Sequence, residues 1–220
     1  MCARKISAIL ALAFLCSVRL VQAAGFELSV SEEAPPDELP ASVLGFLNPG
    51  SVQIKTPDGL LFEFWLGKDA MLGGENVGAF GIAFGELKPG SLLGVVRVGQ
   101  AWKDYKNKPV KPGLYTVRYG LQPADGNHMG VSAYRDFGLF LPVAEDTDPS
   151  ITFEYADLVK MGSLASGTPH PAVIGLFPLD EEIEGPELSE NEEGQPILAI
   201  RIGSTGFGFV LEGHGEIEGY

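Results

Sequence analysis

The sequence predicts an all-β protein, a mostly antiparallel β-sandwich of jelly-roll or immunoglobulin-like type, with one short helix. Two observations predict this class. Short runs rich in β-branched and aromatic residues recur along the chain, bounded by Gly, Pro, Asn and Asp, as is typical of strands separated by turns. Strand patterns do not alternate with long helical patterns, which argues against a parallel sheet built from βαβ units.

Eight segments have this strand composition: Ser51–Lys55, Leu60–Leu66, Leu92–Val98, Leu114–Gln122, Phe137–Val143, Ala172–Phe177, Ile197–Ile202 and Phe207–Glu212. The sequence Thr56-Pro57-Asp58-Gly59 separates the first two and has the residues of a tight turn. We therefore expect these two strands to form a hairpin.

The clearest alternation of apolar and polar residues lies in the fourth segment. Tyr115, Val117 and Tyr119 point to one face, while Thr116 and Arg118 point to the other. Successive side chains of a strand point to opposite faces of the sheet. We expect the aromatic face to be buried and the face with Arg118 to lie in water.

One segment, Tyr155–Leu164, has a helical pattern. Leu158, Met161 and Leu164 recur at a spacing that places them on one face of a helix. Gly167 follows at a position where a helix commonly ends. The sequence predicts a single helix of about ten residues here.

Residues 1–23 have the layout of a secretory signal peptide. Arg4 and Lys5 precede the apolar run Ile6–Leu15, and Val21-Gln22-Ala23 supplies small residues for cleavage. The alternative is a membrane anchor, but polar residues interrupt the run well before the ~20 residues needed to span a bilayer. We expect export to the periplasm or the extracellular space, with no membrane anchor after cleavage.

The rest of the chain is predicted to be a lead-in and one domain. Residues 24–45 are acidic and proline-rich, and we expect them to be extended. Residues 46–220 form a single β-sandwich domain that includes an acidic loop at 178–196. This loop has eight acidic residues and no basic residue. A self-repelling loop is favoured over a calcium site, because the Asp/Asn alternation of calcium loops is missing.

Composition excludes several functions. Both cysteines lie within residues 1–23, so the mature chain has no disulfide, cysteine nucleophile or thiolate ligand for zinc.

Cleavage also removes three of the 15 basic residues and leaves 12 against 29 acidic ones. Such a balance argues against nucleic acid and anionic membrane surfaces as partners. A small molecule or an envelope protein remains as a partner, and the sequence does not indicate an oligomeric state.

Seven of those 12 basic residues lie between positions 97 and 135. They are either a local positive patch or ordinary lysines of hairpin loops. We expect a ligand-binding face around the Asp125–Asp136 loop, with His170 and Arg118 nearby. The candidate ligand-binding residues are Arg118, Asp125, Asn127, His128, Arg135, Asp136 and His170.

The histidines allow a second hypothesis. If the fold brings His128 and His170 together, Asp125 or Asp136 would complete a site for a divalent transition metal. The alternative is that each histidine forms hydrogen bonds within its own loop, because no local motif such as HExxH is present.

The sequence gives weaker support to two other kinds of site, a hydrolytic triad and a sugar-stacking platform. A hydrolytic triad of Ser163 or Ser166 with His170 lacks the GxSxG motif that exposes a nucleophile. Exposed aromatic residues would form a sugar-stacking platform, although aromatic residues of a sandwich more often belong to its core. These aromatic residues are Trp65, Trp102, Tyr105 and Tyr134.

The run from Lys111 to Gly130 reads KPGLYTVRYGLQPADGNHMG. It resembles a signature, KPGxYTxRYxLQPxDGNHMG, of a family of exported bacterial β-proteins. Tyr134-Arg135-Asp136-Phe137 and the segment from Ser166 to Val173 are similar to parts of the same family. The resemblance implies export and a β fold and carries no function.

We expect a non-enzymatic binding or accessory module. The alternatives are a metal-binding protein or metal-dependent enzyme that uses His128, His170 and a carboxylate, and a structural envelope protein.

Overall fold

Thirteen strands and two helices make up the part of the chain that the computed structural model describes, residues 21–23, 25–123, 132–179 and 182–213. The strands are β1 (Val21–Ala23), β2 (Phe26–Ser31), β3 (Ser51–Thr56), β4 (Gly59–Leu66), β5 (Leu92–Val98), β6 (Trp102–Lys103), β7 (Pro109–Val110), β8 (Gly113–Leu121), β9 (Asp136–Pro142), β10 (Val173–Phe177), β11 (Glu187–Glu190), β12 (Pro196–Ile202) and β13 (Thr205–Val210). The helices are α1 (Ala41–Phe46) and α2 (Tyr155–Ser166).

Eleven of these strands form one antiparallel sheet, in the order β1-β2-β3-β4-β5-β8-β9-β10-β13-β12-β11. Strands β6 and β7 pair with each other as a separate hairpin. The two edge strands, β1 and β11, also contact each other. The sheet is therefore curled almost to closure, and its inward side chains face each other across one core.

Aromatic contacts across this core show how the opposing parts of the sheet pack. Phe64 of β4 lies 5.6 Å from Phe209 of β13, measured between ring centroids, although the two strands are far apart in the sheet. Phe62 of β4 contacts Phe140 of β9 at 6.5 Å. All four side chains are almost completely buried. Packing of two inner faces over an aromatic core confirms the all-β, sandwich-like class.

The connectivity is simpler than that of the jelly-roll and immunoglobulin-like variants named from the sequence. Strands β1 to β5 and β8 to β10 follow one another in the sheet as a meander. The chain then crosses to β11 at the far edge and returns through β12 and β13 to pair with β10. Residues 178–196, expected to be an acidic loop, make this crossover and contain β11.

The predicted strands are all present, with ends that differ by no more than two residues. The hairpin of β3 and β4 is confirmed, and Gly59 takes a φ of +118° at its turn. Helix α2 is also confirmed, but its apolar face differs from the prediction. Leu158 is buried and Met161 partly buried, whereas Leu164 is 58% exposed.

The segment 24–45 is more structured than its composition predicts. It contains β2, which pairs with β3, and most of α1. Only the acidic, proline-rich stretch 32–40 lacks regular structure. Leu39 and Val43 are buried against Trp65, on the outer face of the sheet. Strand pairing and four buried apolar side chains, Phe26 and Leu28 as well as Leu39 and Val43, thus attach a segment whose average composition is that of a linker.

Asp104 organises the turn between β6 and β7 and connects it to β10. Its carboxylate accepts backbone N–H bonds from Lys106 (2.9 Å), Lys108 (2.7 Å) and Val173 (3.2 Å). The residue is only 1% exposed. Burial raises the pKa of Asp104 from 3.8 to about 6, against the opposing effect of these hydrogen bonds.

This raised pKa predicts a pH dependence of stability. Because the folded state holds the proton more tightly than the unfolded state, the free energy of unfolding falls as pH rises from about 4 to about 6. The difference between the two pKa values corresponds to on the order of 3 kcal/mol. In Asp104→Asn this part of the pH dependence disappears, whatever the absolute stability of the variant.

Urea denaturation between pH 3.5 and pH 7 measures this effect. Asp37→Asn, which changes an exposed carboxylate, is the control and should follow the wild type. Parallel pH profiles for wild type and Asp104→Asn would contradict the prediction.

Candidate functional site

A pocket of about 340 Å³ lies between α2 and the outer face of the sheet. Phe137 and Leu139 of β9 and Val173 of β10 form its floor, and Val159 of α2 lies on its wall. Its lining is mainly apolar, and the described part of the chain places no Asp or Glu in it. The pocket suits the apolar body of a small molecule.

Close approach of α2 to the chain before β10 fixes one side of the pocket. A Cβ atom on Gly162 would lie 2.7 Å from the Cβ of Pro171, so only glycine permits this contact. The helix ends at Gly167, which takes a φ of +66° and donates its N–H to the carbonyl of Ser163 at 2.9 Å. This left-handed cap turns the chain toward His170, which lies on the pocket rim.

A second compartment of about 320 Å³ adjoins the first. The two share five residues at the end of β8 and the start of α2: Gly120, Leu121, Gln122, Pro123 and Tyr155. Pro89 and Leu158 add further apolar surface to the second compartment, and Arg135 lines it as well. The compartments lie side by side beneath the first turns of α2, and we call the two together the α2 trough.

Arg135 is held in place by three hydrogen bonds. Its Nε donates to the carbonyl of Gln122 at 2.9 Å, and its backbone N–H donates to the carbonyl of Gly81 at 2.7 Å. Its own carbonyl accepts the N–H of Gln122 at 2.7 Å, which extends the pairing of β8 with β9. The residue is half-buried, and its side chain is held by the bond from Nε.

Gln122 has a buried amide group. The residue is only 7% exposed, and among the described residues its Nε2 has no hydrogen-bond partner, as is also true of Gln195 Nε2. A buried donor with no acceptor costs about 1–3 kcal/mol of stability. Gln122 lines both compartments of the α2 trough. The trough wall therefore contains a donor whose hydrogen bond is unmade.

Arg118 does not lie in water, contrary to the expectation from alternation. It is completely buried, because residues 144–153 pack over its face of the sheet. Nε and Nη2 donate to the two carboxylate oxygens of Asp146 at 2.7 and 2.6 Å. The carbonyls of Gly90, Asp148 and Ile151 accept its remaining N–H groups. All five donors are used, so Arg118 supports the fold and has no N–H left for a ligand.

Asp136 is also used within the protein. It lies on the inner side of β9, where it accepts hydrogen bonds from the Tyr119 hydroxyl (2.7 Å) and from the N–H groups of Ala83 (2.8 Å) and Phe84 (3.1 Å). Burial raises the pKa of Asp136, and these three donors partly offset the effect. The carboxylate anchors the long connection between β4 and β5.

Asp125, Asn127 and His128 lie outside the described residues, so the structure does not test their predicted roles. His170 is exposed on the rim of the pocket. Its backbone carbonyl accepts hydrogen bonds from the hydroxyls of Ser166 and Thr168. Of the seven predicted ligand residues, the structure thus brings Arg135 and His170 to the α2 trough.

No arrangement among the described residues supports the metal hypothesis or the triad hypothesis. Within these ranges, no three His, Cys, Asp or Glu side chains are grouped so that they could hold a metal. Asp136 faces the inner core, away from His170. The hydroxyls of Ser163 and Ser166 bond backbone carbonyls. Neither hydroxyl has a hydrogen bond to the imidazole of His170 in the described part of the chain.

The aromatic residues proposed for sugar stacking mostly belong to the core. Trp65, Trp102 and Tyr105 are at least 94% buried. Tyr134 is half-buried and packs edge-on against Phe177, with 5.1 Å between the ring centroids. They therefore offer no open stacking platform.

Two further surface observations bear on partners. Val77 and Phe80, in the connection between β4 and β5, are 73% and 97% exposed, which is unusual for such large apolar side chains. No helix within residues 21–23, 25–123, 132–179 and 182–213 has the length and apolar character to cross a bilayer.

Sequence reasoning missed the role of Gln122, Tyr155 and Val159. Gln122 belongs to the run that carries the family resemblance, but nothing in its spacing marks an unpaired amide. Tyr155 and Val159 were assigned to the helix, and their position over a cavity depends on how α2 docks.

Comparisons with known proteins add no assignment. No family model, no curated protein and no solved structure matches this chain.

The Arg118–Asp146 pair generates a prediction about stability. Arg118→Met leaves a buried carboxylate without its partner and should lower the free energy of unfolding by about 3–5 kcal/mol. The double variant Arg118→Met/Asp146→Leu should lose clearly less than the sum of the two single variants, because no unpaired charge remains. A double-mutant cycle by urea denaturation measures the coupling, and strictly additive losses would argue against it.

The unpaired amide of Gln122 generates the opposite prediction. Gln122→Met keeps the length of the side chain and removes the unsatisfied donor, so the free energy of unfolding should rise by about 1 kcal/mol. Gln100, whose Nε2 donates to the Thr56 hydroxyl at 2.9 Å, is the control, and Gln100→Met should be destabilising. Thermal and urea unfolding report both changes. Destabilisation of Gln122→Met equal to that of the control would show that its amide is hydrogen-bonded.

Proposed function

We propose that this protein is an exported, non-enzymatic binding or accessory module that holds a small molecule in the α2 trough. One observation carries the proposal: among the described residues the buried Nε2 of Gln122 has no acceptor, and Gln122 lines an apolar cavity. Proteins rarely retain a buried unpaired donor without a reason. A ligand acceptor that reaches this nitrogen would remove the cost.

The dimensions and lining of the trough support the proposal. Small-molecule sites usually have a volume of roughly 300–1,000 Å³, apolar walls and a few polar groups. The larger compartment, at about 340 Å³, lies in this range. Its polar groups include Gln122, with Lys106 and His170 at the rim.

Export follows from the N-terminal pattern and stays part of the proposal. Arg4, Lys5 and the apolar run after them favour secretion. A ligand carrier, or an accessory protein that presents a bound ligand, would be compatible with the periplasm or the extracellular space.

Filling the trough should abolish binding. Val159→Trp places an indole in the pocket, whereas Leu164→Trp places the same group on an exposed part of α2. With N-phenyl-1-naphthylamine, a neutral apolar dye that fluoresces on burial, we expect saturable binding at one site. Val159→Trp should weaken it at least tenfold, and Leu164→Trp should leave it unchanged. Fluorescence titration measures both, and equal effects of the two substitutions, or no saturable binding, would contradict the proposal.

A further inference from the structure

The two compartments of the α2 trough lie side by side, an arrangement that suits an elongated molecule. They share five residues, at the end of β8 and in the first turn of α2. Apolar side chains line the whole length, from Pro89 and Leu158 in the smaller compartment to Leu139 and Val173 in the larger. An unbranched apolar chain would bury its surface along this path.

The charged side chains that line the trough are basic. Arg135 lines the smaller compartment and Lys106 the larger, which His170 lines as well. Within the described residues, neither compartment is lined by Asp or Glu. By contrast, the cleft beside β6 is lined by Asp58, Asp104 and Glu212. In a protein with a net charge of −14, a surface lined only by basic and neutral residues favours an anionic ligand group.

Arg135 is already oriented for such a group. Its Nε is bonded to the carbonyl of Gln122, which fixes the plane of the guanidinium. Across the described part of the chain, Nη1 and Nη2 have no hydrogen-bond or ion-pair partner. This leaves one edge of the guanidinium with two parallel N–H donors, a geometry that matches the two oxygens of a carboxylate. Arg118 differs in this respect, because its Nε and Nη2 already donate to the carboxylate of Asp146.

We propose that the ligand is an alkyl carboxylate, with its carboxylate on the free edge of Arg135 and its unbranched chain in the α2 trough. This inference rests on the proposed function, because it names the ligand class of the same site. Gln122, whose backbone carbonyl accepts the hydrogen bond from Arg135 Nε, lines both compartments as well. A free fatty acid and an acyl chain that ends in a carboxylate on a larger molecule share this chemistry.

Paired probes of equal chain length test the inference by isothermal titration calorimetry. Decanoate should bind the wild-type protein about tenfold or more tightly than decan-1-ol, because only decanoate can use the guanidinium fork. Arg135→Gln should remove this preference and leave the affinity for decan-1-ol unchanged. Arg135→Lys keeps the charge without the fork and should retain only part of the preference.

Arg201→Gln is the matched control, because it removes an exposed charge from β12, away from the trough. It should leave the preference intact. If Arg201→Gln has the same effect as Arg135→Gln, net charge explains the preference and the inference is overturned. If Lys106→Gln removes the preference and Arg135→Gln does not, the proposed position of the carboxylate is wrong.

The two proposals fail in different ways. If decan-1-ol and decanoate bind with equal affinity and Val159→Trp weakens both, the trough binds apolar molecules but does not select a carboxylate. If neither probe binds, or if Val159→Trp changes neither affinity, the proposed function itself fails. Decanoate represents a free fatty acid, and decanedioic acid linked through one carboxyl group to glycerol represents a carboxylate-ended chain on a larger molecule; the tighter binder of the two distinguishes the sources.

Discussion

The buried ion pair between Arg118 and Asp146 is the interaction on which the surroundings of the α2 trough depend. Arg118 lies in the middle of β8, and its guanidinium binds one side chain and three backbone carbonyls from the connections before β5 and after β9. Phe153 covers it, with 4.8 Å between the guanidinium carbon and the ring centroid. Burying two charges is costly, and only complete pairing makes it tolerable. The pair thus fixes the segment that leads directly into α2.

The position of α2 follows from this constraint and from one close contact. Residues 144–153, held by Arg118, set where the helix begins, while Gly162 against Pro171 sets how closely its second half approaches the sheet. Between these two fixed points the helix passes over Gly120, where a Cβ atom would collide with the side chain of Leu139. The α2 trough is the volume that these restraints leave open.

Two buried polar side chains near α2 differ in how many of their N–H donors form hydrogen bonds. Arg118 uses all five N–H donors within the protein, so it has a structural role. Gln122, four residues later on the same strand and its extension, has a buried nitrogen that is unpaired among the described residues. Arg135 is intermediate, because its Nε is hydrogen-bonded and its outer edge has no partner in the described part of the chain. This contrast separates the residue that stabilises the fold from those proposed to bind a ligand.

The sequence by itself determined eight of the thirteen described strands, their approximate ends and the position of α2, because these depend on local patterns of apolar residues and turns. It also assigned Arg118 and Thr116 correctly to one face of β8. Only the tertiary structure decided that this face is buried, since the segment that covers it comes from 26 or more residues further along the chain. The same holds for the trough: local periodicity specifies which side chains share a face, but what packs on that face depends on contacts between distant segments.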